Sequence, residues 1–593
     1  MSNWSYRNAA LILALPFIIY LVVFTLYPII YSIILSFSKV GLLYNFAGFV
    51  GLENYMLLFK NPFFLKTFIN TLIFAFSVTA VDIVFSILLA LSIERIPRGK
   101  SVFTTLLTSP LMLPAVVVAI VWEIIMDPFV GPLDYFLRLL HFPTVGWLAD
   151  PHVMLLSLII ITIWQTTPFA FLLVLAGVQA IPPQLKEAAM VDGLSTSYMF
   201  TQVTMPLILP SVVVAVLMTL ITAFRTFDVI FVIDSGGFNP SNALLVYYAY
   251  IYAFVPGYQG IAMASVVILA GISTVLGILF IKAMGLENRL GLEASKKERH
   301  LKLRISFPSF NIRPKISLVL AYLILIISVT FAFFPIIWTL LTSMHYSGIV
   351  MSLLPHHPIQ GLIKNFSMAL SQGAPYLIVS LVVAPVVAAL TIILAAPAAY
   401  SIARFKLGGT KLLAWALYLY TVPSMVYLVP IYTLITKLGL TNTWWALMLI
   451  YPIFTLPLSV WILTGFYNDV PKEIDESALI DGKSRIDAFF DIILPIVRPA
   501  LAVAAFFAIL SSYTEFMFAL TLGRTPYLFN FPPTGSETAT VFVASALVYG
   551  SGEVVNYGML AAAGLLVSIP VIIISAVLQK YIIKGLWVGG LKG

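Results

Sequence analysis

The sequence predicts an all-α integral membrane protein with twelve transmembrane helices, arranged as two parallel six-helix repeats. Three observations predict it. The chain has 593 residues, 61% hydrophobic and only 9% charged, with a mean hydropathy of +1.04, whereas a soluble domain carries roughly 25% charged residues. Twelve stretches reach the length of about 20 mostly apolar residues that a helix needs to cross a bilayer. A polar, acid-bearing segment also occurs twice at a constant interval.

In order, the stretches are about 9–36, 69–93, 102–126, 154–180, 207–233, 260–284, 316–343, 376–402, 412–436, 444–466, 499–522 and 558–582. The first follows Arg7, runs too long for a signal peptide and lacks a small-residue cleavage site, so it reads as a retained span. Between the sixth and seventh lies the most charged segment, from Glu287 and Arg289 to Arg313 and Lys315, with Pro308 and Pro314 inside it. It divides the chain into residues 1–286, a linker 287–315 and residues 316–593.

Basic residues set the orientation. Arg95, Arg98 and Lys100, the linker, and Arg404, Lys406 and Lys411 all follow even-numbered spans, which places them and both termini on the cytoplasmic side of the cell membrane. Lys39, Lys60 and Lys66 run against the trend. Six spans per half make the two halves enter the membrane in the same sense, as a parallel repeat does. The net charge of +8 therefore marks a membrane side rather than a nucleic-acid surface. The absence of cysteine excludes disulfides, iron–sulfur clusters and thiol catalysis.

The repeated segment begins at Pro182. Pro182, Glu187, Asp192, Gly193, Ser195, Phe200, Pro206 and Pro210 reappear 289 residues later as Pro471, Glu476, Asp481, Gly482, Ser484, Phe489, Pro495 and Pro499. A second register of 309 carries Ser92, Ile93, Arg95 and Gly99 to Ser401, Ile402, Arg404 and Gly408. The prolines suit a helix start, the glycines a left-handed helix end, and the serines the cap of a following helix. Each copy thus reads as two short helices around a glycine turn on the cytoplasmic face. The second copy is rich in acid, with Asp469, Glu473, Asp475, Glu476, Asp481, Asp487 and Asp491. Anionic lipid would repel it, so a protein partner suits it better. A plain connecting loop would not need duplicated acids at one spacing.

Glu187-Ala-Ala-x-x-Asp-Gly193 and Glu476-Ser-Ala-x-x-Asp-Gly482 resemble the EAA motif of permease subunits in binding-protein-dependent ABC importers. Phe227 to Gly237 resembles the corresponding segment of MalF-like subunits of maltose transporters, and Tyr513 to Leu520 with the tail Lys584 to Gly593 resembles MalG-like subunits. The family usually makes these halves as separate chains, and here they are fused. The resemblance implies a MalF-like half at 1–286, a MalG-like half at 316–593, and a cytoplasmic EAA coupling helix in each. Glu187, Ala188, Asp192 and Gly193, with Glu476, Ala478, Asp481 and Gly482, would seat in two cytoplasmic ATPase subunits. The chain has no G-x-x-x-x-G-K-[ST] phosphate loop, so it is not itself the enzyme. It would bind no cofactor, with ATP and Mg on the partner. An extracytoplasmic binding protein would deliver the solute, a small carbohydrate, within the lipid membrane's outer compartment.

Ionisable residues at span depth are functional candidates. Asp82, Glu123, Arg225, Asp228 and Glu515 qualify. Arg225 and Asp228 are three apart and expected to share one helix face, either as a structural ion pair or on a solute path. Tyr513 beside Glu515 could stack on a sugar ring. By the resemblance, the solute site also draws in Gln165 and Thr166. His356-His357 lacks further ligands at metal spacing, and Asn365-Phe-Ser367 is an outer-face sequon. Two other function classes stay open: an ion-coupled secondary transporter, which needs no acidic docking loops, and a membrane-embedded glycosyltransferase, which needs clustered carboxylates or metal ligands at an interface.

Overall fold

The computed structural model describes residues 3–41, 46–191, 196–234, 242–283, 314–346, 354–530, 533–548 and 556–590. Among them, nine helices are long and apolar enough to cross a membrane, and three bent helix pairs raise the number to as many as twelve. With lipid on the outside, helices are the natural form, because each satisfies its own backbone hydrogen bonds. The elements used below are α1 (Asn8–Ser36), α2 (Pro62–Arg95), the pair α3 (Lys100–Met112) and α4 (Ala115–Met126), and α5 (Met154–Gln179). They continue with α6 (Pro183–Val191), α7 (Met205–Phe224), α8 (Asp228–Ile233) and α9 (Gln259–Ala283). The second half has α10 (Pro314–Ser343), α11 (Pro358–Phe405), α12 (Gly409–Thr421), α13 (Met425–Lys437) and α14 (Pro452–Asp469). It closes with α15 (Lys472–Ile480), α16 (Arg485–Ala488), α17 (Arg498–Thr514), α18 (Met517–Leu522) and α19 (Tyr557–Gly590). Most of the linker expected at 287–315 lies outside the described residues.

The third apolar stretch of each half is not one straight rod. It bends by 98° between α3 and α4, and by 91° between Lys411–Thr421 and Met425–Lys437. The breaks sit at counterpart residues, Pro114 and Pro423, again 309 apart. Proline disfavours helix at the residue before it, so the bend is written locally. Hydropathy alone does not register it.

The first helix of each half lies against the other half. From α1, Tyr20 donates to the Leu449 carbonyl at 2.8 Å and Ser32 to the Val426 carbonyl at 2.7 Å, while Ser401 donates to the Ala10 carbonyl at 2.7 Å. On α10, the Phe331 carbonyl accepts from Trp164 at 3.0 Å, and Tyr322 donates to the Arg98 carbonyl at 3.2 Å. The halves are therefore interlocked by an exchanged arm.

At the end of the bundle remote from the repeated motif, one fastening occurs twice. Asn54 donates to the Ser36 and Ser38 carbonyls, both at 2.9 Å, and Asn365 donates to the Ser343 and His345 carbonyls, both at 2.9 Å. Each asparagine also abuts a glycine near the start of the half's last long helix. A Cβ on Gly260 would lie 2.7 Å from Asn54 Nδ2, and one on Gly558 2.5 Å from Asn365 Nδ2. Asn365 of the sequon Asn365-Phe-Ser367 is wholly buried within α11. A side chain engaged with two carbonyls inside a helix is not presented to a glycosylating enzyme.

Candidate functional site

In the second copy of the motif, the local code folds as its residues dictate. Pro471 sits immediately before α15 with φ −57° and ψ 137°. Gly482 takes φ +82°, a conformation that costs a residue with a Cβ about 1–2 kcal/mol. The Lys483 N–H then reaches the Ala478 carbonyl at 3.1 Å and the Gly482 N–H the Leu479 carbonyl at 3.2 Å, which satisfies the helix's last carbonyls. Ser484 begins α16 with a capping box, its hydroxyl accepting from the Asp487 N–H at 3.2 Å. Lys483 pairs with Asp491 at 2.6 Å. That bond and the neighbouring Asp487 and Asp481 raise the ammonium above the ordinary lysine range.

Glu476, Asp481 and Gly482 are exposed, and Ala478 is buried. In the first copy Glu187 and Ala188 are exposed on α6. Asp192, Gly193 and Ser195 lie outside the described residues. One feature of the motif was missed by sequence reading. Val191 and Ile480, which are 289 apart and directly precede the Asp-Gly turn, are 87% and 84% exposed. Each copy thus presents an exposed carboxylate and an exposed apolar side chain on one short helix.

The fifth apolar stretch of each half is also interrupted. Helix stops at Phe224 and restarts at Asp228, and it stops at Thr514 and restarts at Met517. The residues before the restarts, Phe227 and Phe516, have nearly equal dihedrals (φ −121°, ψ −52° and φ −124°, ψ −47°) and are again 289 apart. Their rings lie 6.2 Å apart, and Phe231 is 5.4 Å from Phe516. A residue can touch its own counterpart only where the axis relating the halves passes between them. The two breaks therefore meet on the pseudo-two-fold axis.

The break corrects the expectation for Arg225 and Asp228. They do not share a helix face, because helix ends between them, and no ion pair within 4 Å joins them among the described residues. Arg225 instead donates to the Tyr420 carbonyl at 2.8 Å, with its guanidinium 5.7 Å from the Tyr420 ring. Asp228 opens α8, with Arg225 and Glu515 as its charged neighbours. Glu515 accepts from the Phe518 N–H at 2.8 Å and the Ala519 N–H at 3.2 Å, so it caps α18 where the helix dipole favours a negative charge. Tyr513 is buried, and its hydroxyl donates to the Val567 carbonyl at 3.0 Å. In this conformation it packs against α19 and cannot stack on a solute.

Gln165 and Thr166 are half-buried on α5. Thr166 donates to the Thr162 carbonyl at 2.9 Å and stands with Thr167 beside Asp82. Asp82 is fully buried and accepts from Thr219 at 3.2 Å. The counterpart of Asp82 is Thr391 and that of Thr166 is Thr455, and these two share a hydrogen bond of 2.6 Å. The second half thus fills with a neutral pair the place that the first half gives to an acid. No group of three or more His, Cys, Asp or Glu side chains at metal-holding distance occurs among the described residues.

The family described as binding-protein-dependent transport system inner membrane component matches residues 82–284 and again residues 391–588. Both matches begin on the counterpart residues Asp82 and Thr391. The trehalose/maltose transport system permease protein MalG of Thermococcus litoralis is 34% identical over 265 residues, 44% of this chain and 91% of that protein. MalF of the same organism is 33% identical over 239 residues, 40% of this chain and 81% of that protein. A crystal structure of a bacterial alginate ABC transporter, in complex with a periplasmic protein bound to alginate pentasaccharide, is 23% identical with a TM-score of 0.40. That likeness covers 46% of this chain and 92% of the solved one.

Proposed function

The chain belongs to the family of binding-protein-dependent transport system inner membrane components, twice over in one polypeptide, and we propose that its two copies work as the paired permease halves of one carbohydrate importer. The observation that carries this is the duplicated motif, with an exposed carboxylate and an exposed apolar residue on a short helix at matched positions. Residues 1–286 and 316–593 form the halves, 287–315 joins them, and twelve spans cross the cell membrane with both termini inside. α6 and α15 are coupling helices, each docked into one of two cytoplasmic ATPase subunits that hold ATP and Mg. Glu187 and Glu476 meet basic or helix N-terminal groups there, and Val191 and Ile480 enter an apolar recess. The chain is not itself an enzyme. A binding protein supplies solute at the outer face.

The interrupted segments suit the path. Helix ends carry N–H and C=O groups outside the helical ladder, two of which Glu515 takes at α18, and Arg225, Asp228 and Glu515 add charge on the axis, where a hydroxyl-rich solute needs hydrogen-bond partners. The tilted rings of Phe227 and Phe516, 6.2 Å apart, close that axis. Closure of the ATPase dimer moves the coupling helices, and the breaks, being the least continuous parts of their spans, yield to open it.

Uptake by cells carrying Glu187→Arg together with Glu476→Arg tests the docking. The expected result is loss of both uptake and ATPase co-purification, with normal insertion. Uptake at the wild-type rate would overturn it, and uptake driven by a sodium or proton gradient without an ATPase would favour a secondary transporter.

A further inference from the structure

The two coupling helices differ in how they are held. On the second, Asp475 lies between two side chains of α11. Tyr400 donates to its Oδ1 at 2.5 Å, and Arg404 Nε stands 2.8 Å from its Oδ2, an ion pair whose angle falls outside hydrogen-bond geometry. The same guanidinium donates through Nη2 to the Val470 carbonyl at 2.7 Å, at the end of α14. The pair is sheltered, with side-chain exposures of 6% for Arg404 and 15% for Asp475. Arg485 of α16 adds a contact 5.9 Å from the Phe405 ring. Three elements therefore converge on the last turn of α11.

By sequence, the first copy keeps only one member of this set. In the same registers, Arg404 corresponds to Arg95, Tyr400 to Leu91, Asp475 to Lys186 and Arg485 to Thr196. Only the arginine persists, and Arg95 is exposed. A lysine in place of the aspartate has the wrong sign to hold it.

The far ends differ as well. α11 runs unbroken for 48 residues, about 72 Å at 1.5 Å per residue, and it carries the Asn365 fastening near its start. One continuous helix thus bears the clamp at one end and the fastening to α10 and the start of α19 at the other. In the first half, Asn54 sits on a separate helix, Glu53–Lys60, cut from α2 by the extended Asn61 (φ −78°, ψ 114°).

We propose that Arg404, Asp475 and Tyr400 are positioning residues that bolt the second coupling helix to α11. α11 then acts as a rod that carries motion of that helix to the outer end of the bundle, in the second half only. The proposal rests on α6 and α15 being ATPase-docking helices, and the test separates the two ideas. The chain has no cysteine, so labels are placed cleanly at Leu52→Cys and Ile359→Cys, which are 62% and 72% exposed near the start of the Glu53–Lys60 helix and the start of α11.

In one arm, hydrogen exchange is followed in the full-length chain in lipid nanodiscs without any ATPase. Arg404→Gln is expected to speed exchange across 472–480 about tenfold, as loss of a charge-assisted contact should. Tyr400→Phe is expected to speed it less, and Arg95→Gln to leave 183–191 alone. Equal effects of Arg404→Gln and Arg95→Gln on their respective helices would overturn the clamp. In the other arm, the spin-label distance is measured in the complex with its ATPase, before and after MgATP. A nucleotide-induced shift is expected in the otherwise unmodified chain and with Arg404→Lys, and is expected to vanish with Arg404→Gln. A shift that survives Arg404→Gln overturns the rod. Failure of the unmodified chain to bind any ATPase overturns the docking reading, and the exchange arm still decides the clamp.

Discussion

Gly558 has no room for a methyl group. Its Cβ would meet Asn365 Nδ2 at 2.5 Å and the His345 carbonyl at 2.9 Å, and the asparagine cannot retreat without abandoning two backbone acceptors. Gly558→Ala should cost about 1–3 kcal/mol by overpacking, seen as a lower unfolding temperature of the purified chain. Gly260→Ala should behave alike, since Asn54 and the Ser38 carbonyl crowd it at 2.7 and 2.8 Å. Neither glycine was legible as a site, and Asn365 was legible only as a sequon, not as a fastening. Ser36 and Ser343 are 307 apart, Asn54 and Asn365 are 311 apart, and Gly260 and Gly558 are 298 apart, so no single register aligns the fastening. Its recurrence is visible only in the hydrogen bonds. Arg225 teaches the same lesson, because its acceptor, the Tyr420 carbonyl, lies 195 residues away.

At the scale of elements, local chemistry was legible wherever a short-range device decides the geometry. The glycine turn and the serine cap of the second motif copy need only neighbours within a few residues, and the structure has both. Gly482→Ala tests the turn. No atom lies within 4 Å of the added Cβ, so the cost is purely that of the left-handed backbone, about 1 kcal/mol. Exchange should quicken at the amides of positions 482 and 483, which donate to the Leu479 and Ala478 carbonyls, before the rest of the chain changes. The bends at Pro114 and Pro423 had a sequence signal, a proline inside an apolar run, which hydropathy counting overrides. The interruptions after Phe224 and Thr514 had none as plain. Neither contains proline or glycine; what marks the breaks is tertiary, with Phe227 and Phe516 packed against each other and Glu515 capping the restart at α18.

For the whole molecule, the exchanged arms decide how the halves depend on each other. α1 bonds to the backbone of the second half through Tyr20 and Ser32, and α10 receives Trp164 and reaches Arg98 in the first. Contacts of this kind are expected to hold the halves together without a covalent link. Residues 1–286 and 316–593 expressed as two chains should co-purify and keep uptake within a fewfold of the fused chain. Recovery of each half alone, with no association, would contradict this. Because the sequence of the first half lacks counterparts of Tyr400 and Asp475, the halves are not expected to be interchangeable. Two copies of the second half should assemble poorly.

Taken by itself, the sequence determined the class of the protein, the two copies of the motif and the side of the membrane they were expected to face. These follow from composition, from segment length against bilayer thickness and from residues close together in the chain. Tertiary structure alone decided that Phe227 meets Phe516 on the axis, that Arg225 leaves Asp228 for Tyr420, that Tyr513 is spent on α19, and that Arg404 holds Asp475 while Arg95 stands exposed. The reason is physical. Nearly every helix of a membrane bundle is apolar, so hydropathy assigns no partners among them. Which helices touch is set by a few buried polar atoms, each needing a hydrogen bond, and those bonds join residues tens to hundreds of positions apart.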